Sequence, residues 1–222
     1  ESNECLLQND DLLDYNNLDE KSAYPIPLFN DEVVWHGEMA NYPAHPNYDG
    51  FIDTTFYRSY ADNDLRKSLF YLLSTGGIKF RGSYSASNFP LFTGIANDEL
   101  YLIRAESLAR QGELQAALQD LYTLMGKRYR KDSNDGDHYP KVKEGTKDEI
   151  LTLILKERRK ELVLRNIRYS DLRRLNLDPN FKKTLVRQMN GKTYTLEPLS
   201  PKYTFLIPPD DIRLGGLEQN PR

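Results

Sequence analysis

Glu157 and Glu161 stand one helical turn apart in the run Glu157-Arg158-Arg159-Lys160-Glu161-Leu162. Paired carboxylates at such a separation are the residue types of glycoside hydrolysis, where one serves as acid and the other as base or nucleophile. Their neighbours oppose that use. A general acid needs a raised pKa, whereas flanking guanidinium groups stabilise the carboxylate and lower it. At about 100° per residue, Glu157, Arg158, Glu161 and Arg165 fall on the arc that holds Ile150, Leu151, Leu153, Ile154, Leu155, Leu162 and Leu164. Thr152, Lys156, Arg159 and Lys160 take the opposite side. Charges on an apolar face persist only when paired, so Glu157, Arg158, Glu161 and Arg165, with Arg168, Asp171 and Arg174, read as a partly buried structural ion-pair network. Within it, Glu161 to Arg165 has the favourable i,i+4 spacing.

The elements that position these groups carry local signals. Thr146 with Glu149 is a capping box that starts a helix running to about Asn166. Asn97-Asp98-Glu99 opens a helix through Arg110, closed at Gly112, and a second runs from Glu113 to about Arg130. Ala105-x2-Leu108, Gly112 and Ala117-x3-Leu121 give this hairpin tetratricopeptide spacing, without the tryptophan or terminal proline of that repeat. One such unit cannot bury its apolar face alone. Asn190-Gly191, between Thr184–Met189 and Lys192–Leu196, predicts a β hairpin, with Tyr203–Ile207 as a third strand and a helical turn after Pro208-Pro209. Residues 1 to 60 are loop-rich, with a short strand at Glu32–Trp35. Asp64–Leu73 reads as helix or strand, Gly76-Gly77 as a turn and Ile78–Phe80 as a strand.

A chain of 222 residues with 39% hydrophobic content buries one good core or two small ones, and a net charge of −3 gives no reason to expect nucleic acid. Fifteen tyrosines suit surfaces that are half apolar and half hydrogen-bonding. Cys5 stands alone, so no intrachain disulfide forms. No apolar run approaches the ~18 residues of a membrane span. The chain opens at Glu1 with no methionine, signal peptide or small-residue lipidation site before Cys5, which reads as a trimmed or processed piece. The histidines His36, His45 and His138 lack metal-ligand spacing, and Asp132-Ser133-Asn134-Asp135-Gly136-Asp137 fails as a calcium loop, with Asp137 where glycine belongs and Lys143 where glutamate belongs. Gly76–Gly82 has no phosphate-loop pattern. Neither a metal nor a cofactor is expected.

Three segments, in order, resemble the C-terminal part of the SusD/RagB family of outer-membrane nutrient-binding lipoproteins. Glu99-Leu100-Tyr101-Leu102-Ile103-Arg104-Ala105-Glu106-x3-Arg110-x-Gly112 is similar to the family's last tetratricopeptide helix. Glu157 to Leu162 with Arg168-x2-Asp171-Leu172-x-Arg174 is similar to its most recognisable segment, and Phe205-Leu206-Ile207-Pro208-x2-Asp211-Ile212 with Gln219-Asn220-Pro221 to its closing one. Upstream, Asp14-Tyr15-Asn16, Tyr24-Pro25-Ile26-Pro27, Asn30-x-Glu32 and Asp64-x-Arg66 fit more loosely, and Arg165-Asn166 departs from the family's Glu-Gly turn. Family members run to about twice this length.

The resemblance implies a mainly α fold with loop-rich regions, a small antiparallel β element and one tetratricopeptide-type hairpin. The whole chain, 1–222, would be a single SusD-like C-terminal region: a loop-rich aromatic part at 1–96, the hairpin at 97–130, and the charged helix, β hairpin and tail at 146–222. It further implies a non-catalytic protein at the outer membrane, facing outside and anchored by a lipid that this chain lacks. Such a protein binds an oligosaccharide or peptide as the lid of a SusC-like TonB-dependent transporter. Ligand contact would rest on aromatic faces, for which Trp35, Tyr42, Tyr48 and Tyr57 are the candidates. Two other classes remain: a peptide-binding helical-repeat adaptor, and a glycoside hydrolase using Glu157 and Glu161.

Overall fold

Short elements make up the front of the chain. In the computed structural model, which describes residues 1–39, 51–87, 89–131, 138–142 and 144–222, helices α1 (Ser2–Gln8), α2 (Thr54–Tyr57) and α3 (Arg66–Leu69) alternate with strands β1 (Val33–Trp35), β2 (Tyr71–Ser74), β3 (Gly77–Phe80) and β4 (Ile95–Ala96). Asp53 caps α2 by accepting from the Phe56 amide at 2.8 Å. The segment Asp64–Leu73, ambiguous by pattern, splits into α3 and the first strand of the β2–β3 hairpin, and Gly77 at φ +138° makes the turn. β1 pairs antiparallel with β4, Val33 opposite Ala96 and Trp35 opposite Ile95, and β4 leads the chain straight into the next helix.

Three longer helices follow: α4 (Asn97–Gln111), α5 (Leu114–Met125) and α6 (Lys147–Glu161). Gly112, at φ +94°, closes α4 in the left-handed conformation that glycine adopts without penalty. Ala105, Ala109 and Ala117 are fully buried, so α4 and α5 pack closely as an antiparallel hairpin, with α1 and α6 also against α4. α5 stops at Met125, five residues short of the expected Arg130. Residues beyond it pair instead with the front of the chain: Lys127 and Arg128 carbonyls accept from Tyr15 and Leu65 amides, and the Arg130 amide donates to Asn63. The capping box forms as the sequence predicts, Thr146 accepting from the Glu149 amide and the Glu149 carboxylate from Thr146. The helix it opens ends at Glu161, not near Asn166, because Leu164 (φ +56°) and Asn166 (φ +62°) turn the chain left-handed.

Two compact units result, Glu1–Asn166 and Ile167–Arg222. The first has an aromatic core of Tyr15, Ile26, Tyr60, Leu65, Leu69, Phe70, Tyr84 and Phe92. The second holds α7 (Arg168–Leu175), unmarked in the sequence reading, then strands β5 (Leu185–Met189) and β6 (Lys192–Leu196) and a C-terminal helix α8 (Pro209–Gly215). Asn190 (φ +51°) and Gly191 (φ +71°) take the two left-handed positions that their hairpin turn demands. No strand forms at Tyr203–Ile207. Ser200 caps a 3₁₀ turn at Pro201–Tyr203, and the backbone beyond it pairs with side-chain amides of the tail: Gln219 bonds both Ile207 N and O, and Asn220 donates to Phe205 O. The chain is mostly helical, and its sheets are small, antiparallel and two-stranded among the described residues.

Candidate functional site

The inward carboxylates of α6 meet arginines that come from far along the sequence. Glu161 accepts from Arg128 Nε at 2.6 Å and from Arg66 Nη1 at 2.9 Å, and Glu157 accepts from Arg66 Nη2 and from Lys160 at 2.9 Å. Arg66 also forks onto Asp64, at 2.8 and 2.7 Å. Arg128 donates to Glu32 at 2.7 Å and to the Leu13 carbonyl at 2.7 Å. Arg165 pairs with Asp98 through two bonds of 3.1 and 2.7 Å, and Arg158 reaches Glu99 at 3.1 Å. The expected Glu161 to Arg165 pair is therefore replaced. Once α6 ends at Glu161, Arg165 is no longer one helical turn above it, and its guanidinium turns to the N-terminus of α4 instead. In the second unit, Asp171 and Arg174 pair with each other at 2.9 Å, while Arg168 stands at the start of α7.

Tyrosines wall in these charges. The Arg128 guanidinium lies 4.1 Å from the Tyr15 ring and that of Arg165 4.1 Å from Tyr84, while the Tyr15 and Tyr84 hydroxyls bond each other at 3.0 Å. Tyr60 and Tyr129 flank Arg66. Much of the tyrosine content is thus spent inside the protein, on groups that present both a ring and a hydroxyl to buried ions.

The electrostatics separate the carboxylates into two kinds. Burial raises the Glu157 and Glu161 pKa values, but Arg66 with Lys160 and Arg128 with Arg66 outweigh it, and both carboxyls are held below the usual range. Burial prevails at Asp98, pushed up to about 7 against the pull of Arg165, and Glu32 is raised for the same reason in spite of Arg128. Glu32, Asp98 and Glu161 bring carboxylate oxygens within 4.8 Å of one another, yet the guanidinium groups of Arg66, Arg128 and Arg165 already answer them. The arrangement fits a clamp that joins β1, α3, α4, α6 and the turn after α5. It does not fit a general acid at Glu157 or Glu161, which would need an unpaired carboxyl with a raised pKa.

The aromatic candidates are divided. Trp35 is 60% exposed on the β1–β4 ladder, with its indole edge against Gly37, where an added Cβ would lie 2.6 Å from the ring. Tyr57 packs edge-on to Tyr71 at 5.5 Å beneath the Lys67 ammonium, as part of the core margin. Tyr42 and Tyr48 lie outside the described residues, as do His45 and the segment 132–137. His36 bonds Glu38 at 3.1 Å, between the rings of Phe29 and Phe92.

The sequence profile of the SusD family matches residues 81–209, more than half of the chain. The chain belongs to the SusD family. Solved structures share its SusD-like fold: a carbohydrate binding protein from Bacteroides vulgatus ATCC 8482 (18% identical, TM-score 0.61, covering 95% of this chain and 52% of that one), a SusD-like protein from Bacteroides fragilis NCTC 9343 (14%, 0.61, 99% and 60%), and a SusD superfamily protein from Bacteroides thetaiotaomicron VPI-5482 (18%, 0.61, 96% and 52%). The chain thus spans roughly half to three fifths of their lengths. No curated protein matches it. Within this SusD-family chain, the clamp residues that pattern reading missed are Glu32, Asp64, Arg66, Asp98 and Arg128. Three of them, Glu32, Asp64 and Arg66, lie in the pairs Asn30-x-Glu32 and Asp64-x-Arg66 that already fit the family loosely. Arg128 had no such signal, because its role depends on where α5 stops.

Proposed function

We propose that this chain is part of a cell-surface nutrient-binding protein that takes up oligosaccharides without catalysis and works as the lid of a TonB-dependent outer-membrane transporter. Membership of the SusD family carries this reading, supported by the B. vulgatus structure described as a carbohydrate binding protein. The full-length protein would be lipid-anchored and face outward; among the described residues no helix is long and apolar enough to cross a membrane.

Trp35 is the residue we assign to ligand contact, with Tyr42 and Tyr48 in the segment that follows it and Tyr57 in a supporting place. An indole more than half exposed on a short paired strand offers a flat apolar face to the C–H side of a pyranose ring. The adaptor reading has less support, because the α4–α5 hairpin packs against α1 and the charged α6. The hydrolase reading has less still, given the pairing of Glu157 and Glu161.

Trp35 is the single tryptophan of the chain, so its emission reports this site directly. Titration with a panel of neutral oligosaccharides should give a saturable change in Trp35 emission for at least one member, and calorimetry with that ligand should show Trp35→Ala weakening it by roughly tenfold or more. A panel that leaves the emission unchanged, or an affinity indifferent to Trp35→Ala, removes the assignment.

A further inference from the structure

The second unit contains a cavity of about 470 Å³ that the aromatic-platform reading does not use. Ser170, Arg173, Arg174 and Asn176 from α7 and its end line one side, and Leu199, Ser200, Pro201 and Tyr203 line the other. Its size suits one or two sugar rings or another small molecule. Among the described residues, two arginines and no carboxylate line it, in a chain whose net charge is −3. Arg174 is engaged with Asp171, which leaves the exposed Arg173 as the guanidinium best placed to meet a ligand.

Two further observations point to an acceptor as the ligand. Asn176 is 3% exposed and its Oδ1 accepts from the Lys183 amide at 3.1 Å, which fixes Nδ2 as a donor that has no partner among the described residues. Tyr203 is 6% exposed and its hydroxyl is likewise unpartnered. Both atoms are buried in residues that line the cavity, so each carries the cost of an unmade hydrogen bond that an entering acceptor would relieve. The end of α7 does not repel an anion strongly, because the Leu172, Arg174 and Leu175 carbonyls already accept from the amides of Asn176, Leu177 and Asp178.

We infer that this cavity is a second binding site, selective for a carboxylate-bearing sugar such as a hexuronate. Arg173 and Asn176 would hold the carboxylate, Tyr203, Ser170 and Ser200 the ring hydroxyls, and Leu177, Leu199 and Pro201 the apolar ring face. The sugar part of this inference rests on the glycan reading above; the carboxylate part rests on the cavity alone.

The test titrates the full chain with D-glucuronate, D-glucose and inorganic sulfate, followed by calorimetry or amide chemical shifts. D-glucuronate should bind at least roughly tenfold more tightly than either D-glucose or sulfate. Arg173→Ala, a surface change, should weaken D-glucuronate by roughly tenfold with an unchanged melting temperature, and Asn176→Asp, which keeps the acceptor for Lys183, should weaken it as much. Equal binding of D-glucose, equal binding of sulfate (an adventitious anion patch only), no binding of D-glucuronate, or indifference to Arg173→Ala would each overturn the inference. Failure of the platform reading shows elsewhere, as Trp35 emission unresponsive to neutral glycans while D-glucuronate still binds.

Discussion

Glu161 is fully paired and almost solvent-free, between two arginines whose own burial is complete. Removing its charge leaves Arg66 and Arg128 short of a partner in a medium that solvates them poorly, and breaking a buried pair in this way costs about 3–5 kcal/mol. Glu161→Gln should therefore lower the free energy of unfolding by that amount, read as a lower urea midpoint with the slope of the transition unchanged. Asp98 answers differently to pH. Burial, with smaller repulsion from Glu32 and Glu161, raises Asp98 to about 7 against the pull of Arg165. Because the folded value lies above the ordinary 3.8, folding takes up a proton between about pH 4 and 7. That contribution is complete below the ordinary value and lost as pH rises through 7. Glu157 and Glu161, held low, act in the opposite sense: their contribution is present above the ordinary 4.5 and lost as pH falls further. Stability should thus decline from about pH 5 to about pH 7 with a slope of up to about 1.4 kcal/mol per pH unit, and Asp98→Asn should flatten that limb. An unaltered slope in the variant would place the proton on Glu32, whose carboxyl is also raised.

Local chemistry made most elements legible and long-range pairing hid the rest. The capping box at Thr146, the left-handed Gly112 and the Asn190-Gly191 turn each specify backbone by a bond or a φ value within a few residues, and all three stand where the sequence places them. α6 ends at Glu161, earlier than its periodicity predicts: nothing local in Leu164 announces its positive φ. The third strand failed because Phe205 and Ile207 find their partners in Gln219 and Asn220, twelve to fifteen residues on, rather than in a neighbouring strand. The charged arc was legible from periodicity, whereas its partners were not: Arg66 lies 91 residues from Glu157 and Arg128 lies 96 from Glu32. Asn166 turns the earlier departure from the Glu-Gly pattern into an expectation. It holds φ +62°, a conformation that glycine takes freely, asparagine tolerates and β-branched residues resist. Asn166→Gly should leave the melting temperature unchanged or slightly raised, whereas Asn166→Val should cost about 1–2 kcal/mol. Equal melting temperatures for the two variants would mean that the turn relaxes to another geometry.

At the scale of the whole molecule, the clamp and the proposed ligand surfaces use different residues, and that separation can be measured. The clamp ties the front segments to α4 and α6 through buried charge, while Trp35 stands exposed on the β1–β4 ladder. If the proposed function holds, Trp35 emission should change saturably with a glycan that the chain leaves intact. On the same panel no new reducing ends should appear, even at long incubation. In Glu161→Gln, binding by the fraction still folded should keep its affinity, because the variant alters stability and not the exposed indole. The result that would sink this division is sugar release by the parent chain that disappears in a Glu161→Gln protein of undiminished urea midpoint. Only a carboxylate released from Arg66 and Arg128 in the working state would then account for the chemistry, and the clamp would have to open during function.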